Sequence, residues 1–221
     1  MDRKPIIVID GPAGSGKSTV SKLLAARLGY LYLDTGALYR AVAYLAGRND
    51  VREDDEAALV ELVRDADIHI HQSASEMRVE AGGEDVTAHL REEEVGIRAS
   101  RISALAGVRE MLLPVQRKAG VNGGIVAEGR DMGTVVFPDA EVKFYLDAEE
   151  EERIARRFRE LSARGGELNR GKVAADLQRR DRQDKERRTA PLRPHESAII
   201  IDTTNLSIPQ VVEAMLTHIK K

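Results

Sequence analysis

The chain of 221 residues contains no cysteine and no tryptophan, and aromatic residues make up only 4% of it. Without cysteine it can form neither a disulfide framework nor a thiolate metal site. It also lacks any run close to the ~18 consecutive apolar residues of a membrane-spanning helix. The apolar run at residues 6–9 is interrupted at once by Asp10 and glycines, so it does not form the h-region of a secretory signal. We therefore expect a cytoplasmic protein that binds no membrane.

A large excess of charge is also missing, because the formal net charge is only −3 at pH 7. Such a balance gives no general affinity for nucleic acid. Residues 153–193 nevertheless contain fourteen Lys or Arg and six Asp or Glu. Within residues 179–188 the arginines are interleaved with carboxylates, which favours arginines aimed at a small anion, whereas a nucleic-acid arm would carry unrelieved Lys and Arg with aromatic residues. We expect no nucleic-acid partner.

The strongest positive signal is a glycine-rich segment directly after the apolar run at residues 6–9. Its nine residues fit the phosphate-loop pattern G-x-x-x-x-G-K-[ST], and they are Gly11, Pro12, Ala13, Gly14, Ser15, Gly16, Lys17, Ser18 and Thr19. In such a loop the backbone N–H groups surround phosphate oxygens, Lys17 reaches the β and γ phosphates, and the Ser18 hydroxyl can hold Mg²⁺. The sequence therefore predicts a site for a nucleoside triphosphate.

Apolar runs bounded by turn signals, with helical patterns between them, predict an α/β fold with a five-stranded parallel sheet. The runs lie at residues 6–9, 30–33, 125–127, 142–146 and 198–201. Gly29 is placed to end the first helix, and Ser207 with Gln210 has the pattern of a capping box at the last one. Residues 49–66 have the pattern of a charged amphipathic helix that belongs to the scaffold.

A first insertion separates the second and third strands by about ninety residues, too many for one crossover helix. Strand-like alternation at residues 68–71 and 77–80, followed by a turn at 82–85 and a short strand at Val86, predicts a small antiparallel sheet at about 67–88.

A second insertion, near residues 148–190, contains the arginine block and has helical patterns on either side of Gly165 and Gly166. This composition is typical of a mobile lid that closes over phosphates and excludes water. The alternative is a helical hairpin that only packs on the sheet.

Four further motifs complete the pattern, and they are spread over nearly the whole chain. They are Ile9-Asp10-Gly11-Pro12, Asp34-Thr35-Gly36-Ala37-Leu38-Tyr39-Arg40, Gly129-Arg130-Asp131-Met132-Gly133-Thr134-Val135-Val136-Phe137-Pro138, and residues 180–192 ending in Ala190-Pro191-Leu192. Together they resemble the bacterial-type cytidylate kinases, nucleoside monophosphate kinases of the P-loop superfamily. The resemblance implies a P-loop kinase core at 1–62, 104–150 and 188–221, a CMP-binding insertion at 63–103, and a helical lid at 151–187.

The resemblance also implies an activity, namely phosphoryl transfer from ATP, with Mg²⁺, to CMP or dCMP, giving ADP and CDP or dCDP. By the same resemblance, the acceptor phosphate would lie among Arg40, Arg130 and Arg187. The sugar would contact Thr35, Arg180 and Asp184. The cytosine edge would contact Ser100, Arg109 and Asp131. The residues implied to be catalytic are Lys17, Arg130, Asp131, Arg180 and Arg187.

Two residues depart from the pattern that many relatives show, since Thr35 replaces Ser and Glu128 replaces Asp. Thr35 keeps the hydroxyl. Glu128 ends a strand beside the phosphate loop, where it could orient Mg²⁺ through water or instead satisfy the loop backbone.

The chemistry implied here needs no general base, because a phosphate monoester with a second pKa of ~6 is mostly dianionic at pH 7. The sequence shows no Ser-His-Asp order that would supply one. Alternatives are a kinase for another nucleoside monophosphate such as UMP, a kinase for an alcohol such as shikimate, a GTPase-type switch, and a non-catalytic nucleotide-binding module. The large insertion argues against the alcohol, the missing N-K-x-D motif against the switch, and the many arginines against the module. We expect a monomer that acts on small molecules.

Overall fold

A computed structural model describes residues 3–72, 76–163 and 169–219. Gly165 and Gly166, on either side of which the sequence predicts helices, lie outside these residues. Across the three described ranges, no helix combines the length and the apolar character needed to cross a membrane.

Strands and helices alternate along most of the described chain. The strands are β1 (Ile6–Asp10), β2 (Leu31–Asp34), β3 (His69–Gln72), β4 (Met77–Ala81), β5 (Glu84–Asp85), β6 (Ile125–Gly129), β7 (Val142–Asp147) and β8 (Ile199–Asp202). The α-helices are α1 (Lys17–Leu28), α2 (Thr35–Arg48), α3 (Glu56–Asp65), α4 (Glu93–Ile102), α5 (Ala106–Ala119), α6 (Glu150–Ser162), α7 (Arg170–Glu186) and α8 (Ile208–Ile219). A 3₁₀ turn covers Thr87–Arg91 and a π-helical turn covers Met132–Val136.

Five of these strands form one parallel sheet in the order β2-β6-β1-β7-β8, which confirms the predicted fold class. The apolar runs found in the sequence coincide with these strands, because a strand covered on both faces favours a continuous run of Ile, Val and Leu. Parallel strands end at one edge of the sheet. The phosphate loop after β1, Glu128 near the end of β6 and Thr203 after β8 therefore meet at this edge.

Helices cover both faces of the sheet. On one face, Leu24 of α1 and Met215 of α8 pack in a buried cluster with Phe144 of β7. On the other face, Val8 of β1 packs with Val136 of the π-helical turn. This layering fixes the strand ends that carry the phosphate loop.

A third buried cluster joins the first insertion to the core helices. It contains Leu38 of α2, Leu59 of α3, Val79 of β4, Ile102 of α4 and Leu112 of α5. All five side chains are fully buried. The insertion is thus held against helices α2, α3 and α5 by a shared apolar core.

The predicted antiparallel sheet is present and consists of β3, β4 and β5. Gly82 (φ 61°) and Gly83 (φ 78°) form a two-residue turn that needs left-handed backbone at both positions. Because the turn is this tight, β5 already begins at Glu84, and Val86 follows the strand. The prediction of a turn over 82–85 with a strand at Val86 is therefore wrong by two residues.

The helix predicted over residues 49–66 is shorter in the structure. Helix α3 starts at Glu56 because the Asp55 side chain caps it, accepting a hydrogen bond of 3.1 Å from the Ala58 N–H. Upstream, Asp50 has left-handed backbone with φ 53°, which no helix accommodates. The prediction is wrong for residues 49–55, where charge periodicity alone cannot distinguish a capped turn from a helix.

Both predicted helix-end signals are confirmed. Gly29 ends α1 in left-handed conformation with φ 61°. At α8, the Gln210 side chain accepts a hydrogen bond of 2.8 Å from the Ser207 N–H, as the capping-box pattern predicts.

Candidate active site

The phosphate loop between β1 and α1 is held by close backbone packing. Gly11 has φ 150°, and a Cβ there would lie against the Leu146 carbonyl. Gly14 has φ 77°, and its Cβ would lie 2.9 Å from the Arg153 carbonyl oxygen. Both positions require glycine, since a side chain would be strained and would displace a neighbouring strand or helix.

Lys17 lies at the start of α1 with its ammonium folded back onto the loop. Its Nζ donates hydrogen bonds to the Pro12 carbonyl (2.6 Å) and the Ser15 Oγ (3.4 Å). Burial, and after it the charge of Arg130, lowers the pKa of Lys17 to about 7. Anionic phosphate beside Nζ would favour the charged form again, so this lysine suits a site for a polyanion.

The loop opens onto a cleft of about 1460 Å³ between the sheet edge, α4 and α7. Of the predicted site residues, Gly11 and Pro12, the first two of the phosphate loop, do not line the cleft. The others all line it, namely Ala13, Gly14, Ser15, Gly16, Lys17, Ser18, Thr19, Thr35, Arg40, Ser100, Arg109, Glu128, Arg130, Asp131, Arg180, Asp184 and Arg187. The fold thus brings together residues from five separated segments.

The cleft is also lined by a buried ion pair between Arg109 of α5 and Asp131, with side chains 7% and 4% exposed. Arg109 also donates to the Ser103 carbonyl at 3.1 Å, and its guanidinium carbon lies 5.5 Å from the centre of the Tyr39 ring. The second oxygen of Asp131 lies 3.5 Å from Arg187 Nη2. This arrangement offers donors and an acceptor side by side at a fixed place.

The other arginines of the cleft are also held by carboxylates or carbonyls. Arg130 Nε donates to Asp184 at 2.7 Å, and Arg40 Nη2 donates to Asp34 at 2.6 Å. Arg180 Nη2 donates to the Gly96 carbonyl at 3.3 Å, which links α7 to α4. Burial, and then the neighbouring Arg130, lowers the pKa of Arg180 to about 10, so it stays charged at pH 7.

Ser100 and Thr35 each hydrogen-bond to a neighbouring segment, Ser100 through its backbone carbonyl and Thr35 through its hydroxyl. The Ser100 carbonyl accepts a hydrogen bond from the Gln183 amide of α7. The Thr35 hydroxyl donates to the Glu128 carbonyl at 2.8 Å. Its oxygen keeps acceptor capacity toward the cleft.

Glu128 lies buried beside the phosphate loop, and both its carboxylate oxygens accept hydrogen bonds from hydroxyls. Ser18 Oγ donates to one oxygen at 2.9 Å, and the Tyr32 hydroxyl donates to the other. Burial, and then the charge of Asp34, raises the pKa of Glu128. A hydroxyl and a carboxylate at hydrogen-bond distance are hard oxygen donors, and Mg²⁺ is usually bound by one or two such groups together with water and phosphates. The residues present therefore fit Mg²⁺.

Asp10, a member of the first motif to which the sequence assigned no role, ends β1 below the loop. Its carboxylate accepts the N–H groups of Met132 and Gly133, both at 2.8 Å. Burial outweighs these two hydrogen bonds and raises the pKa of Asp10 to about 6. The contact ties the sheet to the Gly129–Pro138 motif.

Sequence reasoning missed three further side chains, Tyr32, Arg153 and Asp181. Tyr32 contacts Glu128 across 96 residues, and Arg153 contacts Asp181 across 28. Contacts between segments so far apart have no local sequence signal. The only indication for Arg153 and Asp181 was their position in the cationic segment.

The strand–loop–helix phosphate site, the small antiparallel sheet and the arginine-rich helices around one cleft together define a P-loop kinase. The family model of cytidylate kinase matches residues 7–221. The chain belongs to the cytidylate kinase family, which confirms the resemblance found in its motifs.

Full-length relatives agree. A protein named cytidylate kinase from Citrifermentans bemidjiense is 50% identical over 216 residues, covering 98% of this chain and 93% of the relative. One of the same name from Aeromonas hydrophila is 46% identical over 214 residues, covering 97% and 93%. A solved structure of an uncharacterized protein from Eubacterium ventriosum is 10% identical with a TM-score of 0.50, covering 99% of each chain, and shows similarity of fold alone.

Proposed function

We propose that the chain transfers the γ-phosphoryl group of ATP to CMP or dCMP, giving ADP and CDP or dCDP. The observation that carries this proposal is one continuous cleft that is lined by both the phosphate loop and the Arg109–Asp131 pair. The alternative acceptor, another nucleoside monophosphate such as UMP, is not favoured, because the relatives are named cytidylate kinases over their full length.

The phosphate loop, with the part of the cleft next to it, is the proposed ATP site. The loop of residues 11–19 would surround the phosphates, mainly through the backbone N–H groups of residues 14–19, which line the cleft, and Lys17 would neutralise the β and γ phosphates. Ser18, with Glu128 through a water molecule, would hold Mg²⁺. When bound, Mg²⁺ neutralises charge on the phosphate oxygens.

The acceptor phosphate is proposed to lie among Arg40, Arg130 and Arg187. Planar guanidinium groups can contact phosphate with two parallel hydrogen bonds. Each of these arginines is paired with a carboxylate, which keeps its guanidinium group oriented in the cleft. The carboxylate also offsets the free-energy cost of placing a cation at a partly buried position. Thr35, Arg180 and Asp184 are proposed to contact the sugar.

Selection of cytosine is proposed to come from Ser100, Arg109 and Asp131. Cytosine presents an amino donor beside ring acceptors, whereas uracil presents a carbonyl beside an N–H donor. A carboxylate next to a guanidinium matches cytosine and would leave buried groups unpaired with uracil.

Catalysis is proposed to be positioning and electrostatic stabilisation by Lys17, Arg130, Asp131, Arg180 and Arg187. The acceptor dianion needs no general base. Cationic groups placed around the transferred phosphoryl group stabilise the charge that spreads over its oxygens. The proposed lid at 151–187 would close over the core and over the CMP-binding insertion at 63–103, which excludes water from the transfer.

We further infer a monomer that acts in the cytoplasm on small molecules, with neither nucleic acid nor a membrane as partner. ATP and nucleoside monophosphates as substrates point to the cytoplasm.

The test is ADP formation from ATP and Mg²⁺ with CMP, dCMP, UMP, AMP, GMP or shikimate at equal concentration, with Lys17→Met as the inactive control. Fast turnover with CMP and dCMP is the expected result. Slow hydrolysis that does not depend on the acceptor would contradict the proposed function.

A further inference from the structure

A buried ion pair that the proposed function does not use lies where α6 and α7 meet the phosphate loop. It joins Arg153 of α6 to Asp181 of α7, and the two side chains are only 6% and 8% exposed. A buried ion pair seldom adds stability over apolar side chains of the same size. The position of this pair beside the phosphate loop therefore indicates a role other than stabilising the fold.

Both members of the pair contact the same residue of the phosphate loop. Asp181 Oδ1 accepts the Ala13 N–H at 3.4 Å, and Arg153 Nη1 donates to the Ala13 carbonyl at 3.1 Å. Arg153 Nε also donates to the Ala148 carbonyl at 3.0 Å, which fixes the guanidinium against the end of β7. The donor and the acceptor of Ala13 are thus both engaged by one ion pair.

The next loop residue is held by packing against the same side chain. A Cβ at Gly14 would lie 3.0 Å from Arg153 Cβ as well as 2.9 Å from its carbonyl oxygen. A glycine-rich loop has large conformational freedom of its own. Contacts from α6 and α7 are therefore what restrict this part of the loop.

We propose that Arg153 and Asp181 are positioning residues for ATP, which fix the phosphate loop at Ala13 and so set the affinity for ATP. This inference rests on the proposed function only in taking the phosphate loop as the ATP site. Phosphate binding by backbone N–H groups depends on a preformed loop, because the cost of ordering it is otherwise subtracted from the binding free energy. The pair contacts none of the residues proposed to bind cytosine, but the charge of Asp181 acts on Arg130, so we expect the affinity for CMP to depend on the pair much less than the affinity for ATP does.

The test separates loop positioning from folding by removing both charges at once. The double variant Arg153→Met/Asp181→Leu replaces the pair by apolar side chains of similar size, which usually preserves stability, but it cannot hydrogen-bond to Ala13. We expect a Tm close to wild type, a Kd for ATP raised about tenfold or more, and a Kd for CMP that changes much less than the Kd for ATP, each ligand titrated alone by calorimetry. A wild-type Kd for ATP in this folded variant, or equal weakening of ATP and CMP, would overturn the proposal.

A second variant, Arg153→Lys, decides the question if the double variant does not fold. Lysine can still pair with Asp181, but a single ammonium lacks the planar fork that reaches Ala13 and Ala148 together. ATP binding weakened without a change in CMP binding supports the proposal, and wild-type ATP binding overturns it.

The matched control is the exposed ion pair of Arg170 and Glu151, which joins the same two helices away from the loop, with side chains 56% and 73% exposed. The variant Arg170→Met/Glu151→Leu should bind ATP as wild type does, and weakening equal to that of Arg153→Met/Asp181→Leu would overturn the proposal. A failure of the proposed function can be distinguished from a failure of this proposal. A wild-type protein that binds ATP but forms no CDP refutes the function and leaves the role of the pair intact.

Discussion

Arg109 and Asp131 form a buried ion pair between α5 and the Gly129–Pro138 motif, and Arg187 approaches the second oxygen of the same carboxylate. One carboxylate therefore holds two arginines in the cleft. Through this shared carboxylate, the proposed recognition of cytosine by Arg109 is coupled to the proposed binding of phosphate by Arg187.

Asp131→Asn tests this coupling. The change keeps the size of the side chain but leaves the buried Arg109 without its counter-charge, while Arg187 keeps only Asp184 at 3.9 Å, so we expect unfolding free energy to fall by about 3–5 kcal/mol. We also expect the ratio of kcat/KM for CMP to that for UMP to fall about tenfold or more, because a neutral amide at this position makes weaker hydrogen bonds to the cytosine edge than the charged carboxylate does. Asp139→Asn, at an exposed carboxylate nearby, is the control. An unchanged CMP to UMP ratio would refute the role of Asp131 in recognition.

Arg187→Ala removes a guanidinium that also donates to the Ala190 carbonyl at 2.6 Å. We expect kcat to fall about a hundredfold or more, because a fixed cation at the transferred group is lost. The comparison is steady-state kinetics of Arg188→Ala, whose side chain is exposed. Turnover near wild type in the Arg187 variant would exclude the proposed catalytic role.

The pKa of Asp10, raised from 3.8 to about 6 by burial, predicts a pH dependence of stability. Between these values the unfolded chain has lost the proton while the folded chain keeps it, so stability falls as pH rises through this window. The shift corresponds to about 3 kcal/mol. Urea unfolding from pH 4 to pH 7 should show this loss in the wild-type protein relative to Asp10→Asn, in which the group does not titrate. Parallel pH profiles of the two proteins would contradict it.

Tyr32→Phe removes one of the two hydroxyls that donate to Glu128. The carboxylate is then oriented by Ser18 alone, and we expect the Mg²⁺ concentration for half-maximal activity to rise about tenfold. ATP binding without Mg²⁺ should be unchanged. Tyr30→Phe, just before β2 and outside the residues that line the cleft, is the control. An unaltered Mg²⁺ requirement would show that Tyr32 does not position Glu128.

The parallel strands and the phosphate loop were predictable because their signals are local. Residues 6–9 form an apolar run next to a nine-residue motif, and Gly29 ends α1 by its own backbone preference. The residues that the motifs named for the site all line one cleft, except Gly11 and Pro12.

Other features depended on contacts that no local pattern encodes. The start of α3 is set by a cap at Asp55 within a generally charged segment, so periodicity extended the helix too far. The contacts of Tyr32 with Glu128 and of Arg153 with Asp181 arise only when distant strands and helices pack together. The π-helical turn at Met132–Val136 similarly depends on two N–H groups bonded to Asp10 on another segment.

The most direct test of phosphoryl transfer from ATP to CMP follows the γ-phosphoryl group itself. ATP labelled at the γ-phosphorus is incubated with Mg²⁺ and CMP, and the products are separated and counted. The account predicts that the label appears in the β-phosphate of CDP and that Lys17→Met abolishes this transfer. Label found in inorganic phosphate, with no labelled CDP, would contradict it.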